Sequence, residues 1–422
     1  MNKCILSLAR LSPLILGLVS VLTVHASASV RTSAFASRPP VAGTRTTVIP
    51  FRLINNQIFI TIQDRRGMPL TMLFDTGAPN ILTPQTAQRL GIASRNPAVA
   101  IGVGQKPVAV AMTLVQGLTL GAIRLGRMPF VILPLAPVIQ AAGVPFDGII
   151  GNTMLTQYTV TIDYAHHWLT LAPGDTFNYS GPGDRLPLII SDRNIPQTAA
   201  TLDGVPGIFS VDTGSGATLA LNTPFVKSHQ LIKKYGATLD TITGWGIGGG
   251  VRTYVARACE LRLGVVVMHR PVIELSTLNQ GISASPNFSG TLGAGFLRRF
   301  TVTFDYAHRL LILHRNAEFA MPDRYDRSGM WINADGDAYR IEDIVPNGPA
   351  SRAGLKIGDR ITAINGIPVK ELPLLKVRAS LRNDPPGTRI SLTIRARTGI
   401  RHAQMILRNL VPEHPLNGGQ RC

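Results

Sequence analysis

Leu73-Phe74-Asp75-Thr76-Gly77-Ala78 and Ser210-Val211-Asp212-Thr213-Gly214-Ser215 are the two stretches that decide how this chain folds. Their Asp-Thr-Gly triplets stand 137 positions apart. Each carboxylate follows a short apolar run and precedes a glycine turn. An ionised Asp at a strand end beside a core is costly without a partner. Two such sites can supply one another. Carboxylates a few ångströms apart share one proton, which provides an acid and a base for activating water. For either triplet alone, an Asx-turn closing a strand is the structural alternative.

The surroundings of the triplets repeat as well. Residues 146–171 read FDGIIGNTMLTQYTVTIDYAHHWLTL, and residues 288–313 read FSGTLGAGFLRRFTVTFDYAHRLLIL. Upstream, Thr83-Pro84 predicts a helix ending at Gly91, and Thr223-Pro224 predicts one ending near Gly236. In both, Thr is read as the N-cap, Pro as the first helical residue and Gly as the stop. Val160, Ile162 and Tyr164 alternate onto one strand face, as do Val302, Phe304 and Tyr306. Asp203-Gly204 is a hairpin signal. Gly102-Val103-Gly104-Gln105 and Gly246-Ile247-Gly248-Gly249-Gly250 follow their triplets at similar distances and read as hairpin tips. Each triplet thus belongs to one copy of a strand–turn–helix–strands unit.

With these features together, each unit resembles a lobe of the retropepsin/pepsin-like aspartic protease family. That family carries an apolar pair before Asp-Thr-Gly-Ala/Ser, a glycine-rich flap, and then an apolar pair with Gly. The last motif is Ile149-Ile150-Gly151 here and, with one polar departure, Thr291-Leu292-Gly293. The run through Asp-Tyr-Ala is similar to the bacterial branch of the family, and the resemblance covers residues 48–318. It implies two tandem β lobes forming an intramolecular pseudo-dimer, with Asp75 and Asp212 as the catalytic pair. Thr76 and Thr213 are expected to join the two loops, with Gly77 and Gly214 allowing the turns. Gly102, Gly104, Trp245, Gly246 and Gly248 are expected in flaps over the substrate, and Trp245 and Tyr254 are candidates for touching it.

Beyond Pro322-Asp323-Arg324-Tyr325-Asp326-Arg327, read as a tether, the pattern changes. Residues 344–369, IVPNGPASRAGLKIGDRITAINGIPV, closely resemble a bacterial PDZ domain. In that family a peptide adds a strand to the sheet edge, and its terminal carboxylate is held by backbone N–H groups. The matching loop is Ser328-Gly329-Met330-Trp331. The facing helix starts near Pro373, with Leu374, Val377 and Leu381 towards the groove or the core. Gly329, Met330, Trp331 and Leu374 are the expected peptide-binding residues.

The bulk numbers agree with a folded, β-rich protein: 422 residues, 45% hydrophobic, 16% charged, with 41 Gly and 30 Pro spread along the chain. Residues 1–28 read as a secretory signal peptide, charged by Lys3 and Arg10 and ending in the small-x-small site Ala26-Ser27-Ala28. The apolar run is short for a membrane span. Its removal takes two basic groups and no acid from the formal charge of +18. No basic block carries interleaved aromatics, so nucleic acid is not an expected partner. Cys259 alternates with Leu261 and Leu263. It could pair with Cys422 in an exported protein, although two cysteines are not a disulfide framework.

His166, His167 and His308 fall at turns after Asp-Tyr-Ala, where zinc spacing is absent. Asp163 and Asp305 read as turn caps, and residues 333–337 read as a hairpin. No metal and no cofactor are expected. The chain therefore divides into a signal (1–28), a linker or short propeptide (29–47), lobe one (48–180), lobe two (181–320), a linker (321–327), a PDZ domain (328–412) and a tail (413–422). The expected activity is that of an exported aspartic endopeptidase, periplasmic or secreted, acting on polypeptides as a monomer. Its PDZ domain would select C-terminal tails without being needed for the chemistry. The alternatives are a peptide-binding scaffold without catalysis and a protease active only as a homodimer.

Overall fold

The computed structural model describes residues 46–412, apart from residues 94, 105, 175–176 and 397–398, together with the strand Thr23–Ala26. The expected signal peptide otherwise lies outside the described residues, as do most of the 29–47 segment and the tail. Thr23–Ala26 pairs antiparallel with Arg95–Ile101. The described chain is mostly β, arranged in four sheets. Among the described residues no helix is long and apolar enough to cross a membrane.

The duplication in sequence is a duplication in topology. In the first lobe, Gln57–Gln63 pairs antiparallel with Pro69–Phe74, which runs parallel to Gly148–Ile150. Gly148–Ile150 in turn lies antiparallel to Ile81–Leu82. In the second lobe, Pro196–Leu202, Val205–Asp212, Gly290–Gly293 and Leu219–Leu221 repeat that order. The hairpin at Asp203-Gly204 has φ of 46° and 80°, both left-handed, as a two-residue turn requires. Strand alternation buries Ile58, Ile60, Ile62, Met72 and Phe74 on one side and Phe209, Val211 and Leu292 on the other. One core cluster draws on both lobes.

A six-stranded sheet joins the lobes. Its order is Asp184–Pro187, Leu310–Arg315, Phe300–Asp305, Tyr158–Asp163, Trp168–Pro173 and Thr47–Pro50. The two Thr-Val-Thr strands meet at its centre, where Thr161 faces its own repeat partner Thr303 with the hydroxyls 2.9 Å apart. Asp163 and Asp305 close the following turns, each bonded to a backbone N–H and to the ring of a histidine, His166 or His308.

The helices after the triplets differ between copies. Pro84–Arg89 is capped by Thr83, whose hydroxyl accepts from the Thr86 N–H at 3.1 Å. In the second copy the helix Thr223–Ser228 starts one residue earlier than expected, with Asn222 at the cap position. The Thr223 hydroxyl is engaged elsewhere, donating to Leu278 O at 2.7 Å. Gln230, at φ 50°, then breaks the run before a second short helix, Leu231–Lys234.

The C-terminal sheet is built from Met330–Asp335, Ala338–Ile344, Arg360–Ile364, Ile367–Pro368, Arg389–Ala396 and Gly399–Ile406. The helix Leu374–Asn383 covers its core. Residues 321–327, expected as a tether, are fastened at both ends instead. Asp323 accepts from the Val272 N–H at 2.8 Å and from the Thr218 hydroxyl at 3.1 Å, and it forms an ion pair with the buried Arg299. Arg327 donates to Asp384 O at 2.7 Å and to Asn409 Oδ1 at 2.8 Å. Tyr325 packs on Leu239, Val255, Val272, Val345 and Val411, an apolar seam between the second lobe and this domain. Cys259, half-buried before the strand Glu260–Leu263, is disulfide-bonded, and its partner lies outside the described residues.

Candidate active site

The topology brings the two triplets together at the carboxyl ends of Pro69–Phe74 and Val205–Asp212. Thr76 and Thr213 sit back to back, fully buried. The Thr76 N–H donates to Thr213 Oγ1 at 3.1 Å, and the Thr213 N–H donates to Thr76 Oγ1 at 3.1 Å. Each hydroxyl then donates across the interface at 2.8 Å, Thr76 to Val211 O and Thr213 to Phe74 O. Four hydrogen bonds thus hold two loops from opposite halves of the chain in one register.

The carboxylates stand over this base. Asp75 Oδ1 accepts from the Gly77 N–H at 2.9 Å, and Asp212 Oδ1 accepts from the Gly214 N–H at 2.8 Å and the Ser215 N–H at 3.2 Å. Asp75 also bonds to the Asp212 side chain. Each carboxylate lies against the glycine of the other triplet. A Cβ at Gly77 would stand 2.6 Å from the Asp212 carboxyl carbon, and a Cβ at Gly214 would overlap the Asp75 carboxyl still more. Burial, then the Asp212 charge, then the hydrogen bond to Asp212 raise the Asp75 carboxyl well above the ordinary carboxylate range, against the Gly77 and Ala78 N–H groups that lower it. The pair is therefore built to retain a proton where isolated carboxylates have lost theirs.

Several positioning residues carry no obvious sequence signal. Gln57 Nε2 donates to Gly214 O at 2.7 Å and so ties a first-lobe strand to the second triplet. Asn80, fully buried, accepts from the Gly151 N–H at 2.9 Å and donates to Pro129 O at 3.1 Å, bracing the first loop against the distal glycine motif. The polar departure at Thr291 is matched by Ser210, its register partner, with the hydroxyls 2.9 Å apart. In the first lobe the same register pairs Leu73 with Ile149.

The flap segments meet tip to tip. The Gly104 N–H donates to Ile247 O at 2.8 Å, and Gly102 and Gly246 pack against Ile247 and Val103 so closely that neither has room for a Cβ. A cavity of about 970 Å³ lies beneath them, lined by Asp75, Gly214, Gly102, Val103, Trp245, Gly246 and Ile247. Gly104 and Gly248 lie at the tip-to-tip contact and are not on the cavity wall. Trp245 is on the wall, whereas Tyr254 packs against the main core.

The same cavity extends into the C-terminal domain, where Gly329, Met330 and Trp331 line it. Leu374 does not reach it. That side chain is 2% exposed, in the core with Val377 and Leu381, and abuts Gly143 of the first lobe; Leu375, one position on, is on the wall. Glu274 also lines the cavity. Burial pushes its carboxyl up to about 7, against the Thr243 hydroxyl and the Arg382 charge, which lower it. Asp343 of the C-terminal domain takes hydrogen bonds from the Thr241 hydroxyl at 2.7 Å and the Ile242 N–H at 2.8 Å, and pairs with Arg252. These three residues belong to the second flap hairpin, Leu239–Gly246 and Gly249–Arg257. No cluster of potential metal ligands occurs among the described residues.

Residues 60–154 match the aspartyl protease family model, and residues 340–396 match that of the PDZ domain. No curated protein matches the chain. The chain carries an aspartyl protease domain with a PDZ domain on its C-terminal side.

Proposed function

We propose that this chain, an aspartyl protease domain joined to a PDZ binding module, is an exported aspartic endopeptidase whose catalytic pair is Asp75 and Asp212. The observation that carries the reading is the reciprocal packing of each carboxylate on the glycine of the other triplet. It puts two acids in contact, with Asp75 on the wall of a cavity large enough for a peptide. In the proposed reaction a water lies between the carboxylates. The ionised member takes a proton from it as the water oxygen attacks the scissile carbonyl carbon. The protonated member donates to the carbonyl oxygen, giving a gem-diol. Collapse of the gem-diol returns a proton to the leaving nitrogen and breaks the C–N bond. Residues of this chain suffice for every proton transfer, without a metal, a cofactor or a covalent intermediate.

Both acids come from one polypeptide, so the active unit is read as a monomer. That favours it over the homodimer alternative, and the presence of both acids favours it over the inert scaffold. Residues 1–28 are proposed to direct export to the periplasm or the medium. The expected capture of polypeptide C-termini by the PDZ module would require Asp326 to leave the backbone N–H groups it now occupies.

The test is to incubate the purified chain with a denatured protein mixture from about pH 3 to about pH 8, with and without Asp75→Asn, and to sequence the fragments. New internal cleavages that vanish in Asp75→Asn are expected. The same fragments from both proteins would refute the reading.

A further inference from the structure

A PDZ domain takes a peptide by adding it to a free sheet edge and by gripping its terminal carboxylate in a nest of backbone N–H groups. In this chain the nest is filled from within, and the edge strand is engaged at one carbonyl. Asp326 Oδ1 accepts from the Ser328 N–H at 2.9 Å, the Gly329 N–H at 2.8 Å and the Ser328 hydroxyl at 2.7 Å, while Ser328 Oγ accepts from the Met330 N–H at 3.3 Å. The Asp326 carboxylate therefore stands where a ligand's terminal carboxylate would bind. On the edge strand Met330–Asp335, Arg378 donates to Ile332 O at 2.5 Å and to Ala141 O at 2.6 Å, tying the strand to the helix Ala136–Ala142 of the first lobe. Its guanidinium lies 4.8 Å from the centre of the Trp331 ring.

What stays open is the lower groove. Met330, Trp331, Leu375 and Ala379 face the same cavity as Asp75 and Gly214. The fastening of residues 321–327 and the Asp343 contacts hold that wall against the lobes.

We propose that the PDZ module is the far wall of the substrate cleft, where Met330, Trp331, Leu375 and Ala379 hold an internal apolar segment of the polypeptide being cut instead of a free C-terminus. This rests on the protease reading for what occupies the cleft. A thioether, an indole and aliphatic carbons form an adaptable apolar surface. The two cavity-lining cations on the helix of Leu375 and Ala379 are already engaged, Arg378 with Ala141 O and Ile332 O and Arg382 beside the Asp326 and Glu274 carboxyls. A segment seated there is continuous with the stretch over the dyad, so the module adds binding energy remote from the scissile bond.

Two synthetic libraries of random dodecapeptides, identical except for a free or an amidated carboxyl end, test this. Each is incubated with the immobilised full-length Asp75→Asn chain, and the retained peptides are measured by mass spectrometry. Equal retention within about twofold, apolar enrichment in both libraries and a roughly fivefold loss in Trp331→Ala are expected. Asp326→Ala empties the nest and is expected to favour the free-acid library. Retention of free acids roughly tenfold above amides by the Asp75→Asn chain would overturn the proposal. Retention unchanged by Trp331→Ala would also overturn it. If Trp331→Ala melts abnormally, Leu375→Glu reads the same wall with the same two outcomes. Retention needs no catalysis, so a wild-type chain that cuts nothing sinks the protease reading and leaves this result legible.

Discussion

Thr76 and Thr213 exchange equivalent hydrogen bonds, each N–H donating to the hydroxyl oxygen of the other at 3.1 Å. The relation makes one rigid base from two loops 137 residues apart, and it fixes the carboxylates of Asp75 and Asp212, each one residue upstream on the same backbone. Thr213→Ala removes an acceptor from the Thr76 N–H and a donor from Phe74 O, both buried. A loss of about 2–4 kcal/mol in urea unfolding is expected, with Thr213→Ser retaining most of the stability. Equal stability of Thr213→Ala and wild type would contradict this account of the interface.

The buried carboxyls predict how stability changes with pH. Burial and the Asp212 charge raise Asp75, and burial raises Glu274 to about 7. Acids raised in the folded state favour folding fully below their unfolded values and lose that contribution as pH rises through the folded values. The melting temperature should therefore fall as pH rises from the ordinary carboxylate range towards about 7. Glu274→Gln should flatten part of that fall, and Asp75→Asn should be more stable than wild type near neutrality. A melting profile identical in all three proteins would remove the electrostatic reading.

Gly214→Ala places a methyl group against the Asp75 carboxyl. The backbone there is held by Gln57 and by the Asp212 carboxylate, so it cannot yield without moving the dyad. Cleavage should drop by roughly a hundredfold or more in kcat/KM while the chain still folds, as read by circular dichroism. Activity within about twofold of wild type would show that the loop has slack the geometry denies.

The C-terminal domain should be needed by every substrate. Truncation after residue 320 exposes Leu239, Val255 and Val272 and strips Thr241, Ile242 and Arg252 of Asp343. A lower melting temperature and reduced cleavage of short and long peptides alike are expected. Asp343→Ala should reproduce part of the effect, destabilising by about 2–4 kcal/mol. Full activity of the truncated chain on short peptides would restore the tethered selector.

The strand–triplet–helix units and the Thr-Val-Thr strands are legible in sequence because their signals are local: alternation, turn glycines and capping chemistry at fixed offsets. Thr291 reads as a departure when taken alone. The structure pairs it with Ser210, so the signal lay in two polar residues replacing the Leu73–Ile149 pair of the first lobe. The stretch 321–327 reads as a tether because proline and charge look the same whether solvated or fastened. Only distant partners such as Val272 and Asp384 make the difference. Helix phase places Leu374 on an apolar face, but it cannot separate a groove from a core when both are apolar. Asp326 and Asp343 act through backbone groups and residues brought close by the fold, which no spacing in the sequence announces.

The central claim is that Asp75 and Asp212 act as one catalytic unit, and the most direct test is the rate of peptide cleavage by Asp75→Asn, Asp212→Asn and the double variant, each purified and shown to be folded. Because the pair shares one proton, each single variant should be nearly as inactive as the double, and mixing the two singles should restore nothing. Substantial cleavage by either single variant, or recovery on mixing, would contradict an intramolecular dyad.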